Sequence, residues 1–450
     1  MKSRSIAQFC VCLVVSLPAL PVFADGPLDP AFANGYGIFP YPIGPHSAYA
    51  LAITSDSSGR LITAGYVNPS GFNATGFVTR HELSPAGWLD PGFASDGLIP
   101  AVFDGETNEL HGVAVDHHGR IVATGTMEAT TTCGSDPNHD VHFYAVARFH
   151  NDDGFTDGSP DTSFAASGHA LAVVGDCNAT GTPTGLAIDA HDSITVVGGA
   201  TEAGTEVIGL ARWTSDGNLD THFGMNGVVT TSTPYEYADG KAIAIDASGK
   251  LWVAAQGQTP VGPIAIVLRY NVDGSLDTTF GSGGLATISL GFNGDVCCIA
   301  LDPEGRAVIA GDADEPDGPN RILVARFDSA GHLDNTFGNG GIARPTVSAG
   351  NSYSSGLALD PQGRPYVAGW SADFTLGSVT LVHYNLDGTL NTAVGFGGIF
   401  TTMLGEYSSG AAAVLIDPQG RPTLAAYGTD RDGAFPALVR YDELFSEGFD

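Results

Sequence analysis

Residues 240–290 read GKAIAIDASGKLWVAAQGQTPVGPIAIVLRYNVDGSLDTTFGSGGLATISL, and this stretch decides the fold. It holds four short apolar runs, which are AIAID, KLWVAA, IAIVLRY and LATISL. Clusters of Asp, Asn, Ser and Gly separate several of these runs, and such clusters between apolar runs are typical of β-hairpins. No helical periodicity competes with this pattern. The stretch therefore predicts a four-stranded antiparallel sheet, with strands A to D in chain order.

The same unit recurs along most of the chain. A turn of the form D-x-x-G follows strand A, with copies that start at Asp56, Asp116, Asp189, Asp246, Asp302, Asp360 and Asp417. A leucine-aspartate phrase leads into a glycine-rich turn before strand D, with copies that start at Leu28, Leu89, Pro160, Leu219, Leu276, Leu333 and Leu390. Strand C carries a basic residue, which is Arg80, Arg148, Arg212, Arg269, Arg326, His383 or Arg440. Such an internal repeat indicates a modular fold.

Seven such units predict an all-β fold, a seven-bladed β-propeller of four-stranded antiparallel blades. One unit cannot bury both faces of its sheet, whereas a closed ring of seven buries them and leaves no large open edge. The chain begins with a D strand, predicted over residues 37–43, and ends with strands A, B and C. We therefore expect the N-terminal strand to complete and close the last blade.

A small residue recurs four positions before each turn aspartate. The residues at this position are Ala52, Gly112, Gly185, Ala242, Cys298, Gly356 and Ala413. Small side chains suit an innermost strand, where seven backbones crowd around one axis. Strand A should therefore be the innermost strand of each blade.

Composition and charge exclude some classes of partner. The chain has 450 residues, with 18 Lys and Arg against 49 Asp and Glu, and a formal net charge of −31. Phosphate contacts need basic side chains, so this balance argues against nucleic acid and anionic membrane surfaces as partners. No stretch beyond the N-terminal region is apolar and long enough to span a membrane.

The N-terminus resembles a secretory signal peptide. Lys2 and Arg4 precede an apolar run, and the sequence Val22-Phe23-Ala24 fits a small-residue cleavage site. We expect residues 1–24 to be cleaved, residues 25–442 to form one propeller domain, and residues 443–450 to be a short tail. The protein is then extracytoplasmic, either periplasmic or secreted.

The three repeat phrases together resemble the delta-60 repeat family of exported bacterial proteins. The resemblance covers nearly all of residues 28–442, and its departures are the lost glycine and basic residue at Asp192-Ser193, His383 and Asn391. It implies a propeller and an extracytoplasmic location. It implies no established activity and supplies no catalytic residues.

The loops between strands B and C and between blades vary in sequence and share one face, which we call the variable-loop face. Binding residues concentrate on loops that a rigid scaffold holds. Twelve basic residues occupy repeat positions, so only Lys241, Arg321, Arg344 and Arg431 remain for the loops. We therefore expect the variable-loop face to be strongly negative.

One acidic loop on this face is a candidate Ca²⁺ site. Asp312, Asp314 and Asp317 precede Gly318, and clustered carboxylates before a glycine suit a hard cation. The spacing differs from that of well-defined calcium loops, and a solvated acidic loop is the competing interpretation. No other cofactor is predicted.

Pairs of charged residues frame the turn between strands C and D. The predicted structural pairs are Arg80/Asp90, Arg148/Asp161, Arg212/Asp220, Arg269/Asp277, Arg326/Asp334 and, through ring closure, Arg440/Asp29. The sixth unit replaces both partners, with His383 and Asn391. Loss of both charged residues in the same unit is expected if the two groups pair, because removing one partner leaves the charge of the other uncompensated.

Four cysteines follow the predicted cleavage site. Cys133 and Cys177 lie in loops of the second unit that share the variable-loop face, and we predict a disulfide between them. Cys297 and Cys298 are adjacent. We expect them to be reduced, with a vicinal disulfide as the alternative.

Two functions remain open at the level of sequence. The first is a non-catalytic exported module that binds an unknown protein or glycan, either basic or bridged by a cation, through the acidic face. The second is an extracytoplasmic hydrolase or lyase that uses carboxylates at the channel mouth. The sequence contains no nucleophile elbow, zinc-protease or P-loop motif, but a propeller can carry catalytic residues scattered over several blades, so this absence is weak evidence against an enzyme. A monomer is expected.

Overall fold

A computed structural model describes residues 23–442 except for gaps at 26–27, 34–36, 42, 44–46, 69–73, 84–85, 95, 101, 104–106, 134–135, 152–156, 177–180, 315–317 and 373–375. The described residues form seven antiparallel sheets with the strand order A-B-C-D, and they contain no α-helix. The predicted seven-bladed β-propeller is confirmed. No helix in the described part of the chain is long and apolar enough to cross a membrane.

Each of the first three blades contains four sequential strands. Blade one has strands Ser47–Ser55, Leu61–Asn68, Thr75–Leu83 and Leu98–Pro100, with an additional strand Ala86–Leu89 in its C–D connection. Blade two has the longest B–C hairpin, with strands Thr107–Val115, Ile121–Cys133, Asp136–Phe149 and His169–Ala172. Blade three has strands Pro183–Ile188, Ile194–Glu202, Thr205–Trp213 and Val228–Thr231.

The next three blades follow the same order. Blade four has strands Ala238–Ile245, Leu251–Thr259, Gly262–Tyr270 and Leu285–Ser289. Blade five has strands Asp295–Leu301, Ala307–Asp314, Asn320–Phe327 and Ile342–Ala343. Blade six has strands Ser352–Leu359, Pro365–Ala372, Gly377–His383 and Ile399–Met403, and the strand Phe23–Asp25 pairs with the last of these. The predicted cleavage site lies within Phe23–Asp25.

Blade seven joins the two ends of the chain. Its strands A, B and C are Ser408–Ile416, Pro422–Asp430 and Gly433–Arg440, and its strand D is Ile38–Pro40. Ile38 lies opposite Val439, and Pro40 lies opposite Ala437. The prediction that the N-terminal strand closes the last blade is confirmed, although the strand is shorter than the predicted 37–43.

The core consists of apolar layers between neighbouring sheets. Strand A of each blade contacts strand A of both neighbours, so these strands form the innermost ring around the axis. One layer, for example, packs Trp252 and Val267 of blade four against Ile309 and Leu323 of blade five. Along each strand, successive side chains point to opposite faces of the sheet, and each face packs against a neighbouring blade. Every blade therefore depends on its neighbours to bury its apolar side chains.

Every innermost strand carries a β-bulge at the same place. The register shifts immediately before the small residue of the repeat, for example between Gly240 and Ala242 and between Ser354 and Gly356. A Cβ atom at Gly356 would lie 2.9 Å from the Cα atom of Ala413 in the next blade. The small residues are therefore required by close approach of neighbouring backbones near the axis.

The expectation of reduced thiols in blade five is wrong. Cys297 is the bulged residue of strand A and Cys298 is its small residue, and the two form a vicinal disulfide. Cys298 is buried, and Cys297 lies within 3.5 Å of the Ser354 hydroxyl in the next blade. The sulfur atoms thus lie in the innermost ring at the junction of blades five and six.

Candidate functional site

The start of each innermost strand surrounds the axis on the variable-loop face. The residues seven positions before the turn aspartates form this ring, which we call the mouth ring: Tyr49, Glu109, Thr182, Asp239, Asp295, Tyr353 and Gly410. Sequence analysis missed this ring because its residue types differ from blade to blade. Alignment of the seven repeats at this position would have found it. One half of the ring is acidic and the other half is aromatic.

The acidic half is organised around a single ammonium group. Lys241 Nζ lies 3.1 Å from an Asp239 carboxylate oxygen and 4.0 Å from an Asp295 carboxylate oxygen of the next blade. Burial lowers the pKa of Lys241, but the two carboxylates outweigh it and raise that pKa overall. Burial raises the pKa of Asp295. Lys241 therefore compensates only part of the negative charge collected here.

Asp312 adds a further carboxyl group to this half. It is buried and lies directly opposite Asp295 in the ladder between strands A and B of blade five. Burial, followed by the charge of Asp295, raises the pKa of Asp312 to about 7. Asn320 Nδ2 donates to Asp312 at 3.3 Å. This carboxyl group therefore changes charge near neutral pH.

The candidate Ca²⁺ residues have separate local roles. Asp314 accepts the backbone N–H of Phe292 at 2.5 Å and the side-chain amide of Asn293 at 3.0 Å, so it fixes the preceding inter-blade loop. Asp312 is bonded to Asn320 instead. Asp317 lies outside the described residues. A Ca²⁺ site at Asp312, Asp314 and Asp317 remains a proposal.

Glu109 and His111 lie at the boundary between the two halves of the ring. Burial raises the pKa of Glu109 and lowers that of His111 to about 4. A Glu109 carboxylate oxygen lies 3.7 Å from His111 Nε2. Burial and the charge of Glu109 raise the pKa of Tyr66, which places this carboxyl group beside the aromatic half.

The aromatic half contains two groups of half-buried rings. Tyr353 stacks on Trp370, with ring centroids 4.6 Å apart and an interplanar angle of 25°. Tyr49 contacts Tyr66 at 5.5 Å and Tyr427 of blade seven at 5.6 Å. These rings belong to blades six, one and seven, and the contact of Tyr49 with Tyr427 joins blades one and seven. They give the mouth ring flat apolar surfaces beside its carboxylates.

A cleft of about 190 Å³ opens between blades three and four. Its lining includes Thr182 and Asp239 of the mouth ring, together with Thr201 and Glu206. Apart from backbone, this lining offers hydroxyl and carboxylate oxygens. The cleft extends the acidic half away from the axis.

The arginines of the repeat positions form hydrogen bonds within the sheets or in the A–B turns, on the face opposite the variable loops. Each turn arginine donates to its turn aspartate, at 2.6 Å for Arg60 and Asp56 and at 2.8 Å for Arg421 and Asp417. On the variable-loop face, Arg431 pairs with Glu406 at 3.4 Å. The arrangement agrees with a negative variable-loop face.

The structure brings five of the six predicted structural pairs together. Arginine Nε donates to the aspartate at 2.8–2.9 Å in Arg80/Asp90, Arg148/Asp161, Arg212/Asp220, Arg269/Asp277 and Arg326/Asp334. Each of these guanidinium groups also lies over a phenylalanine ring of its own blade, at 4.3–4.9 Å from the centroid. In the sixth blade, His383 Nδ1 and Asn391 Nδ2 are 3.3 Å apart.

The predicted pair of Arg80 and Asp90 forms, and Arg80 also has a second charged partner. Asp90 accepts from Arg80 Nε at 2.8 Å, but Arg80 Nη2 also lies 2.9 Å from a carboxylate oxygen of Asp157 in blade two. Arg80 Nη1 donates to Asn151 Oδ1 at 2.9 Å. The strand Ala86–Leu89 also lies between Arg80 and Asp90, where the sequence predicts only a turn. The longer C–D connection of blade two supplies the second carboxylate, so removal of Asp90 leaves Arg80 with a charged partner.

The strand-C arginines also connect neighbouring blades, which sequence analysis missed. Arg269 Nη1 donates to the carbonyl of Ser329 at 2.5 Å, and Arg326 Nη1 donates to the carbonyl of Leu386 at 2.7 Å. Both acceptors lie in the C–D turn of the next blade. A backbone acceptor carries no residue signature, so the sequence could not indicate this bond.

The predicted Arg440/Asp29 pair is wrong in its side-chain form. Asp29 is bonded by Arg421 at 3.3 Å, and its backbone N–H donates to the Arg440 carbonyl at 2.9 Å. Arg440 Nε donates instead to the hydroxyl of Thr423, which lies directly opposite on strand B. The guanidinium lies 4.4 Å from the centroid of the Phe32 ring. A hydroxyl acceptor on the adjacent strand thus takes the place of the carboxylate.

The predicted disulfide cannot be placed. Cys177 lies outside the described residues, and Cys133 ends a strand beside the gap at 134–135. The Cys133–Cys177 bond therefore stays a prediction.

Comparisons with known proteins agree with the fold. A family model described as "Domain of unknown function (DUF5122) beta-propeller" matches residues 192–223, 265–280 and 303–337, in blades three to five. A search of the curated proteins gives no match. The family match therefore supports the β-propeller fold, and it assigns no activity to this chain.

Solved structures similar to this chain match it along most of their length. A protein of unknown function from Dyadobacter fermentans is 11% identical, with 82% of this chain and 98% of that chain covered and a TM-score of 0.42. A PL25 ulvan lyase is 10% identical, with 90% and 97% covered and a TM-score of 0.47. The PQQ-bound aldose sugar dehydrogenase of Streptomyces coelicolor is 14% identical, with 86% and 99% covered and a TM-score of 0.38. These similarities assign no ligand or reaction to this chain.

Proposed function

We propose that this protein is an exported, non-catalytic propeller of the delta-60 repeat type that binds a neutral or cationic glycan at the mouth ring. The observation that carries the proposal is the stacked pair Tyr353 and Trp370 on one side of the ring, with the carboxylates of Asp239 and Asp295 on another.

The chemistry of the two halves matches the two sides of a sugar. A pyranose ring has an apolar C–H face that can pack on an aromatic ring, and aromatic side chains offer a large apolar surface for such a contact. Its hydroxyl groups donate to carboxylate oxygens, and such charge-assisted bonds are stronger than neutral ones. Anionic glycans are repelled by the negative face unless a cation bridges them.

Binding to a glycan panel tests this proposal. Titration calorimetry of the mature protein with neutral glucans and with chitosan oligosaccharides should show binding, and the variants Tyr353→Ala and Trp370→Ala should weaken it by about tenfold, which corresponds to about 1.4 kcal/mol. Phe396→Ala is the matched control, because Phe396 is 84% exposed and lies in a glycine-rich turn on the opposite face. Equal loss in the control, or no binding by the wild-type protein, contradicts the proposal.

A hydrolase or lyase that acts at the same mouth is the second candidate. Asp312 favours it, because a carboxyl group whose pKa is raised to about 7 can hold the proton of a general acid near neutral pH. Burial also raises the pKa of Glu109. Release of reducing ends or of unsaturated products from the same panel supports catalysis if Glu109→Gln or Asp312→Asn abolishes it. Binding without turnover supports the non-catalytic module.

Export has its own test. The predicted cleavage yields a mature chain that begins at Asp25, and N-terminal sequencing of protein from the periplasm and the medium should find this residue first. A full-length chain that remains in the cytoplasm contradicts the proposal.

A further inference from the structure

One A–B turn of the propeller departs from the repeat at a position where a side chain strains the backbone. In the third blade, Asp192 occupies the position that glycine fills in the other six A–B turns. Its backbone N–H donates to the Asp189 carbonyl at 3.0 Å, as the glycines do in their turns. Its φ is 59°, and the six glycines have φ values of 75–88°. A residue with a side chain is strained in this region, so the carboxylate has replaced glycine against backbone preference.

The side chain of Asp192 is buried against the turn of the neighbouring blade. It is only 3% exposed, and its two oxygens accept from both imidazoles of the adjacent pair His117 and His118. The distances are 2.9 Å to His117 Nδ1 and 2.5 Å to His118 Nδ1. None of the other six A–B turns has two histidines at these positions. Two departures from the repeat, in two different blades, thus meet at one point.

We propose that His117, His118 and Asp192 form a binding site for a divalent transition metal, with Zn²⁺ as its occupant. Two imidazole nitrogens and a carboxylate are a ligand set that Zn²⁺ takes in proteins, at about 2.0–2.2 Å from each donor atom. The ligand atoms of His118 and Asp192 lie within 4.8 Å of each other, and His117 Nδ1 lies 2.9 Å from an Asp192 carboxylate oxygen. The histidines are exposed on the turn face, so an ion has access from solvent.

Asp116 supports the site without coordinating the ion. Its Oδ2 accepts from Arg120 Nε at 2.6 Å, and its Oδ1 accepts the backbone N–H groups of His118 and Arg120. This is the bonding of the turn aspartate in the other blades with a turn arginine, so Asp116 is committed to its own turn. Three protein ligands then leave a fourth position for water.

Metal binding should be measured on the mature protein after treatment with EDTA. Calorimetric titration with ZnCl₂ should show one site, and titration with CoCl₂ should produce the visible absorption of tetrahedral Co²⁺. Addition of ZnCl₂ should also raise the melting temperature, because an ion that binds only the folded state stabilises it.

Two variants separate the site from the fold. Asp192→Gly restores the glycine of the other turns, and His117→Ser with His118→Ser copies Ser57 and Ser58 of blade one. Both variants should keep the fold and lose Zn²⁺ affinity by more than about tenfold. His191→Ser is the matched control, because His191 is an exposed turn histidine of blade three outside the cluster.

The outcomes decide the proposal in either direction. Loss of the Co²⁺ spectrum and of the ZnCl₂-dependent melting shift in both variants, with the control unchanged, supports it. Unchanged Zn²⁺ binding in both variants overturns it, since the ion then lies elsewhere. Absence of Zn²⁺ binding by the wild-type protein also overturns it and leaves His117, His118 and Asp192 as a hydrogen-bonded contact between blades.

Discussion

The pairing of strand-C arginine with the aspartate of the next turn can be tested in blade four. Arg269 is 9% exposed and donates both to Asp277 at 2.8 Å and to the Ser329 carbonyl of the next blade at 2.5 Å. Arg269→Ala removes one of the two cationic groups that contact the buried Asp277 carboxylate. Breaking a buried pair in this way typically costs about 3–5 kcal/mol. We expect the lower end, about 3 kcal/mol, because Lys250 remains 2.6 Å from Asp277.

The double variant Arg269→His with Asp277→Asn copies the sixth blade and should be less damaging than the single change. No buried charge is left uncompensated, and the new histidine can stack on Trp252 as His383 stacks on Tyr366 at 3.9 Å. The remaining losses are the bond to Ser329, with a cost of about 1–2 kcal/mol, and the ion pair of the partly exposed Lys250 with Asp277, with a cost of about 0–1 kcal/mol. Asp277→Asn completes the double-mutant cycle.

Urea unfolding of these variants, followed by tryptophan fluorescence, supplies the free energies of unfolding. A favourable coupling energy of at least about 1 kcal/mol between positions 269 and 277 is expected for residues in direct contact. If the double variant unfolds at the same urea midpoint as Arg269→Ala, or if the two single effects simply add, the pairing argument is refuted.

Three further predictions concern closure, pH and the thiols. A chain that starts at residue 45 loses Phe32 and Ile38 from the core and should be destabilised by about 3–6 kcal/mol, so an unchanged melting temperature contradicts closure. Because the pKa of Asp312 is raised to about 7, the folded state holds an extra proton and loses stability as the pH rises from about 4 to about 7. Asp312→Asn should therefore raise the melting temperature more at about pH 8 than at about pH 5, and an equal effect refutes the shift. Non-reducing peptide mapping should find Cys133 joined to Cys177, and free thiols at both exclude the bond.

The repeat made the blades predictable, because each phrase constrains one local element. Alternating apolar residues such as those of Ala242–Ile245 give the strands, and the turn after them is fixed by Asp246 and Gly249. Ring closure followed from the missing strands at the two ends. The bulge of strand A was not visible in the sequence, since it depends on how seven backbones approach the axis.

The candidate site was harder to predict for a related reason. Its residues share a position in the repeat and differ in type, so neither Tyr353 nor Asp239 stands out in a search for motifs. The Arg440/Asp29 prediction failed because the rule used sequence order alone. Thr423, on the neighbouring strand, is a competing acceptor that only the ladder register reveals.

The closed seventh blade also governs the order in which the chain acquires its structure. Arg421 reaches Asp29 across 392 positions of sequence, whereas strands A to D of blades two to six are neighbours along the chain. Contacts between distant segments form slowly, because the entropy of joining them must be lost before they stabilise anything. We therefore expect the strand Ile38–Pro40 to pair only after the last strand has been made, so that joining of the two ends is a late step of folding. A protease that removed the strand Ile38–Pro40 would therefore open the ring.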